Sequence, residues 1–114
     1  APRPHNSGHR TIECCNVSQF QQHLLAICNL PLIDPQLQLP GVMINLLGEE
    51  GFEGPVKYMG VEQALRLGSV YVHLYGKKIT KPFRKMGHIT VANRSVSQAI
   101  RTANFLKEHI KVIS

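Results

Sequence analysis

The chain has 114 residues, with 13 Lys and Arg against 7 Asp and Glu for a formal net charge of +6, and is 43% hydrophobic and 18% charged. That size suits one modest core, and no apolar run approaches the roughly 20 residues that span a bilayer, so no membrane span is expected. The basic balance calls for an anionic partner, while Cys14, Cys15 and Cys28, two of them adjacent and none in a spaced framework, fit a reducing, cytoplasmic setting better than a disulfide scaffold.

The first nine residues read APRPHNSGH, with no initiator Met and no basic-then-apolar leader, as expected for a segment of something longer that carries neither signal nor transit peptide. Pro2 and Pro4 hold this stretch extended and project Arg3 and His5 from one side. His suits proton transfer near neutral pH and Arg steadies developing negative charge, whereas a flexible terminal tail is the plainer reading. His5 and His9 with Cys14 and Cys15 lack the ligand spacing of a zinc site, and no metal ligands are expected. Ser18-x-x-Gln21 has capping-box spacing and opens an amphipathic helix over 18–28, with Phe20, Leu24 and Ile27 on one face and Leu30-Pro31 as its stop. His23 lies beside that face, and Cys28 reads as a small core residue. Residues 31–41, with Pro31, Pro35, Pro40 and Gly41, predict a linker that divides 1–30 from a small domain over 42–114.

The apolar run 42–47 predicts a buried strand ending in the Gly48-Glu49-Glu50-Gly51 turn; a loop with Gly54 and Pro55 follows, and then a short helix over 61–67 that Gly68 ends. Val70, Val72 and Leu74 alternate with Tyr71, His73 and Tyr75, and the pattern resumes over 88–91, so residues 70–91 predict an antiparallel hairpin. His73 on such a strand is a packed or solvent-facing ring. A second capping-box spacing, Ser95-x-x-Gln98, opens a helix with Val96, Ala99, Ile100, Ala103, Leu106 and Ile110 on one face, and the helix dipole favours His109 near its end. The fold class is α+β, a small antiparallel sheet of two or three strands with flanking helices.

The hairpin's long tip, 76–87, carries Lys77, Lys78, Lys81, Arg84 and Lys85 within nine residues. Gly76 and Gly87 allow tight turns at its ends and Pro82 stiffens its middle, so Lys and Arg together form a clamp suited to one phosphate group. The same charges are equally those of a solvated hairpin tip. Phe83 within it and Tyr75 just before it are its only aromatic partners and no basic stripe follows a helix, which weakens a long polyanion as the partner. Neither a Walker-type loop, a dinucleotide fingerprint nor a nucleophile elbow is present.

In order and spacing, APRPHNSGH, SQFQQHLLAICNLPL, VMINLLGE, VHLYGKK and FRKMGHITV resemble the C-terminal part of the carboxyaminoimidazole ribonucleotide synthase family, ATP-grasp ligases of purine biosynthesis also known as the phosphoribosylaminoimidazole carboxylase ATPase subunit. The resemblance covers nearly the whole chain. It implies that ATP phosphorylates bicarbonate to carboxyphosphate and that the amine of aminoimidazole ribonucleotide captures the carboxyl group. By motif position, Arg3 and His5 would sit by the carboxyphosphate and the amine, Lys77 and Arg84 would hold the 5′-phosphate, and Lys85 is a neighbouring candidate. Residues 1–30 would be the tail of the ATP-grasp domain and 42–114 the barrel- or sandwich-like C-terminal domain. The ligands of ATP and Mg²⁺ would lie mostly upstream in a homodimeric parent, leaving this chain inactive alone, with no nucleic acid or membrane as partner. A stand-alone phosphate- or RNA-binding module that uses residues 77–85 is the alternative.

Overall fold

The computed structural model describes residues 2–114. A short 3₁₀ turn, Asn6–Gly8, leads into helix α1 (Thr11–Cys14) and then α2 (Gln19–Ile27). The capping box at Ser18 is complete: Gln21 N–H donates to Ser18 Oγ at 3.1 Å and Ser18 N–H donates to Gln21 Oε1 at 2.8 Å. The helix stops before the expected proline. Asn29 adopts a left-handed φ of 54°, Leu30 N–H donates to Leu25 O at 2.9 Å and Asn29 N–H to Ala26 O at 3.2 Å, the paired bonds of a Schellman ending. Phe20, Leu24 and Ile27 stay 40%, 58% and 65% exposed, and Cys28, expected in the core, is exposed as well; the core is drawn from residues beyond Gly41 and includes none of α2.

Residues 31–40 are tied to the preceding segment. Gln38 and Leu39 both donate to Cys14 O (2.8 and 3.2 Å), Gln36 N–H donates to Asn16 Oδ1 at 2.7 Å, and the Gln22 amide brackets the backbone of Ile33.

Beyond them lie β1 (Gly41–Leu47), β2 (Gly54–Pro55), β3 (Lys57–Met59), α3 (Val61–Leu65), β4 (Val70–Leu74), β5 (Ile79–Thr80), β6 (Lys85–Ala92), α4 (Val96–His109) and β7 (Lys111–Ile113). The main sheet has the order β1-β6-β4, antiparallel throughout, and β2-β5 and β3-β7 form two-stranded ladders. The expected hairpin pairs Val70 with Val91 and Leu74 with Gly87. Because β6 takes the centre, β1 is an edge strand, mostly half-buried rather than buried. On α4, Ala99, Ala103 and Leu106 are buried, but Val96 and Ile100 are exposed, so its apolar face is narrower than its spacing predicts. Nor does Gln98 close a second capping box: its Oε1 accepts from Asn93 Nδ2 at 3.4 Å, while Asn93 Oδ1 accepts the Ser95 N–H at 2.9 Å.

Strand β6 is covered on both faces. Ile89 and Val91 belong to the aliphatic core with Val70, Ala99, Ala103, Leu106 and Val112. His88 and Thr90, of opposite parity, lie on the other face, which the segment carrying His9 and Cys14 covers. This two-sided burial of one strand sets a polar layer between the N-terminal segment and the sheet.

The basic stretch is pinned from two directions. Gly48, just past β1, donates to Arg84 O at 2.9 Å and accepts the Phe83 N–H at 2.8 Å; a side chain there would run into Lys81 O and Thr80 Oγ1. On the other side β5 pairs with β2, and Val56 N–H donates to Lys78 O at 3.0 Å. Gly87, expected at a turn, instead lies within β6, where a β-carbon would collide with His73 O. Leu46 faces Gly87 and Leu47 faces Lys85, which leaves Met86 as the extra residue of a bulge.

Candidate functional site

Between the N-terminal segment and the sheet lies a connected set of rings. His73 and His88 are register partners on β4 and β6, and their rings stack at 4.4 Å. The His9 ring lies 4.8 Å from His88, and Tyr75 Oη is hydrogen-bonded to His88 Nδ1 at 2.9 Å. Glu13 Oε1 pairs with His73 Nε2. Burial pushes His88 down to about 4, helped by the neighbouring charges of His73 and His9. His9 is lowered as well, first by burial and then by positive charge at His73, Lys85 and His5. Burial raises the Tyr75 phenol. Glu13 Oε2 and His88 Nε2 are buried without a hydrogen-bond partner among the described residues.

The expected site residues fall around this cluster unequally. His5 and Lys85 are both close enough for their charge to bear on His9. Lys77 Nζ sits 5.8 Å from the Tyr75 ring centroid and donates to Lys85 O at 2.6 Å. Arg84 ties the tip of the stretch, with Nη1 on Ile79 O at 3.0 Å. Of the five basic residues, Lys77 and Arg84 are half-buried and held in this way, whereas Lys78, Lys81 and Lys85 are exposed. One backbone bond leaves Lys77 two further donors and Arg84 four, so both remain able to grip an anion from fixed positions. Arg3 stands apart: it is exposed and lines a shallow groove along α2 with Gln22, His23 and Leu32.

Sequence reasoning missed Glu13, Gln19, Tyr75, His73 and His88 as members of one site. The signal existed in part, since period-two spacing puts His73 and Tyr75 on one face of β4. What it lacked was the register that sets His73 against His88 and the fold-back that brings His9 over both. Among the described residues, no group of three or more His, Cys, Asp or Glu side chains is placed to hold a metal ion, and no helix is long and apolar enough to cross a membrane.

Comparison with known proteins divides the chain as the polar layer does. Residues 1–20 match the ATP-grasp domain, and residues 41–102 match the family described as phosphoribosylaminoimidazole carboxylase C-terminal domain. The N5-carboxyaminoimidazole ribonucleotide synthase of Bacillus subtilis is 50% identical over 90 residues, 79% of this chain and 22% of the relative. Among solved structures, the N5-carboxyaminoimidazole ribonucleotide synthetase of Thermotoga maritima is 54% identical with a TM-score of 0.97, matching all of this chain and 32% of its own. The N5-carboxyaminoimidazole synthase of Aspergillus clavatus, solved with ADP and 5-aminoimidazole ribonucleotide, is 36% identical with a TM-score of 0.74 over 93% of this chain and 28% of its own. The chain thus spans between a fifth and a third of the length of these relatives. With the family model matched across 41–102, and the central sheet, basic stretch and first half of α4 inside that match, this chain belongs to the phosphoribosylaminoimidazole carboxylase C-terminal domain family.

Proposed function

We propose that this chain supplies one wall of the active site of an ATP-dependent ligase that carboxylates 5-aminoimidazole ribonucleotide. Bicarbonate is activated by ATP to carboxyphosphate, and the exocyclic amine takes the carboxyl group as phosphate leaves. Lys77 and Arg84 hold the 5′-phosphate of the nucleotide, with Lys85 beside them, while His5 and Arg3 steady negative charge at the reacting carboxyl. The observation that carries this reading is the tethering of Lys77 and Arg84, the only two of the five clustered cations that are half-buried and bonded to the loop's own backbone. A small anion is best held by cations fixed before it arrives, because little entropy is then lost on binding. The ADP and nucleotide in the Aspergillus clavatus structure support the same substrate class. The Mg²⁺ that would accompany ATP finds no matching donor set among the described residues, and no step on this chain is assigned to it.

A chimera in which this chain replaces the matching third of the Thermotoga maritima synthetase tests the assignment. The Lys77→Ala/Arg84→Ala double variant should raise KM for 5-aminoimidazole ribonucleotide by roughly 10–100-fold, the scale of lost charge-assisted hydrogen bonds, with kcat much less affected. His5→Ala should act on kcat instead. An unchanged KM in the double variant overturns the phosphate assignment, and tight, steeply salt-dependent binding of single-stranded RNA by the chain would favour a polyanion-binding role.

A further inference from the structure

The geometry points to Gln19 as a positioning residue for His5, joining the His5 backbone to the His9 ring through the two ends of its side-chain amide. The inference rests on the part in carboxyl transfer proposed above for His5.

Gln19 is the first residue of α2, and its side chain reaches back over the N-terminal segment. Its Oε1 accepts the His5 N–H at 2.9 Å, and its Nε2 lies 2.9 Å from His9 Nδ1. The amide has one workable orientation. A backbone N–H can only donate, so the oxygen must face His5, and the NH₂ must then donate to His9. His9 Nδ1 is therefore the acceptor, and its ring carries its proton on Nε2. The other groups around His9 agree: positive charge at His73, Lys85 and His5 bears on it, the rings of His88, Tyr75 and Phe20 lie against it, and the carboxylate of the layer, Glu13, is paired with His73 instead.

The bridge is braced at each end. Gln19 N–H donates to Thr11 Oγ1 at 3.0 Å, and the same hydroxyl donates to Gly8 O at 2.5 Å, so the first residue of α2 is locked to the 3₁₀ turn that follows His5. At Gly8 a β-carbon would overlap the Gln19 amide; glycine leaves the space in which the bridge runs. His5 itself caps the turn. Ser7 N–H donates to His5 Nδ1 at 3.2 Å, so a neutral His5 ring carries its proton on Nε2 and presents a donor from an exposed side chain. Ser7 thus sets which nitrogen of His5 faces outward, and Gln19 sets where the ring stands. A group that stabilises a developing anion needs both, because a misplacement of about 1 Å can cost on the order of 100-fold in rate.

Two substitutions in the Thermotoga maritima chimera separate this role from simple stability. Gln19→Ala removes both bonds and should lower kcat by about 10–100-fold, with KM for 5-aminoimidazole ribonucleotide changed by less than about 2-fold. Gln19→Glu keeps the acceptor for the His5 N–H, so it should recover kcat to within about 5-fold of the parent. In the 114-residue chain, ¹⁵N NMR of the histidine rings should show His9 as the Nε2–H tautomer. Gln19→Glu should raise the pKa of His9, because a carboxylate facing Nδ1 favours the imidazolium. If Gln19→Ala leaves kcat intact while His5→Ala abolishes it, the positioning role fails and the reading of His5 stands. If both variants leave kcat intact, the reading of His5 fails. A Gln19→Glu variant as slow as Gln19→Ala, or a His9 ring protonated on Nδ1 in the parent chain, also overturns the bridge.

Discussion

His88 illustrates how a residue can be plain in sequence and opaque in role. It is 3% exposed on the central strand, between His73 and His9, with Tyr75 on its Nδ1. Its pKa in the fold, about 4, lies below the 6.5 of a free imidazole. Between those two values the unfolded chain binds a proton that the native chain refuses, so stability contributed by the neutral ring is full above pH 6.5 and is lost as pH falls towards 4. The loss amounts to about 3 kcal/mol over that window. Urea denaturation at pH 7, 5.5 and 4 should show it, and a His88→Gln variant should have a flatter profile even if it is less stable at pH 7. Equal pH dependence in the two proteins would mean that the cost lies elsewhere. Nothing in the sequence announces this. Period two sets His88 on the face opposite Ile89 and Val91, but its partners come from two other segments, and only the register of β4 and the return of residues 5–14 bring them together.

At the scale of elements, the basic stretch is shaped by neighbours that are distant in sequence. Gly76 takes a left-handed φ of 72°, as a turn there requires, but the tip is fixed by Gly48, whose N–H and C=O bond Arg84 and Phe83. Gly48→Ala should therefore cost about 1–3 kcal/mol, because its methyl group meets backbone at Lys81 that cannot rotate away. It should also loosen the tip and weaken binding of a nucleotide 5′-phosphate, read by urea titration and by KM in the chimera. Unchanged stability would show that the loop yields easily and is not pre-shaped. The long elements were legible: the Ser18 box opened α2, the alternation over 70–74 and 88–91 gave the hairpin, and Ser95 opened α4. Strands β2, β3, β5 and β7 were not, since two or three residues hold too little of a repeat to show a period. They exist because ladders formed elsewhere place their backbones side by side.

The molecule as a whole is unevenly built. Its radius of gyration is 15.5 Å and its longest extent 46 Å, larger than the ~13 Å radius of a compact chain of this length. The apolar core cluster lies within the 41–113 part, while among the described residues the N-terminal segment adds only Cys14 and Val17 to the buried hydrophobic residues. Helix α2 shows why the hydrophobic pattern misled: Phe20, Leu24 and Ile27 recur as a buried face should, yet all three stay exposed, and Phe20 is covered only in part, by the His9 ring. Amphipathic spacing reports that a face can be buried, not that this chain buries it. Two consequences separate the halves. Leu106→Ala, at 1% exposure, should cost about 2–5 kcal/mol, whereas Leu24→Lys, at 58%, should stay within about 0.5 kcal/mol. Native-state hydrogen exchange should divide in the same way. Amides of β6, buried on both faces, should exchange only through global unfolding, while those of α2 should open through a lower-energy local event because their release exposes little apolar surface. Equal protection in α2 and β6 would mean that the N-terminal segment folds as one cooperative unit with the sheet, held by the polar layer of His9, His73, His88 and Glu13 rather than by apolar burial.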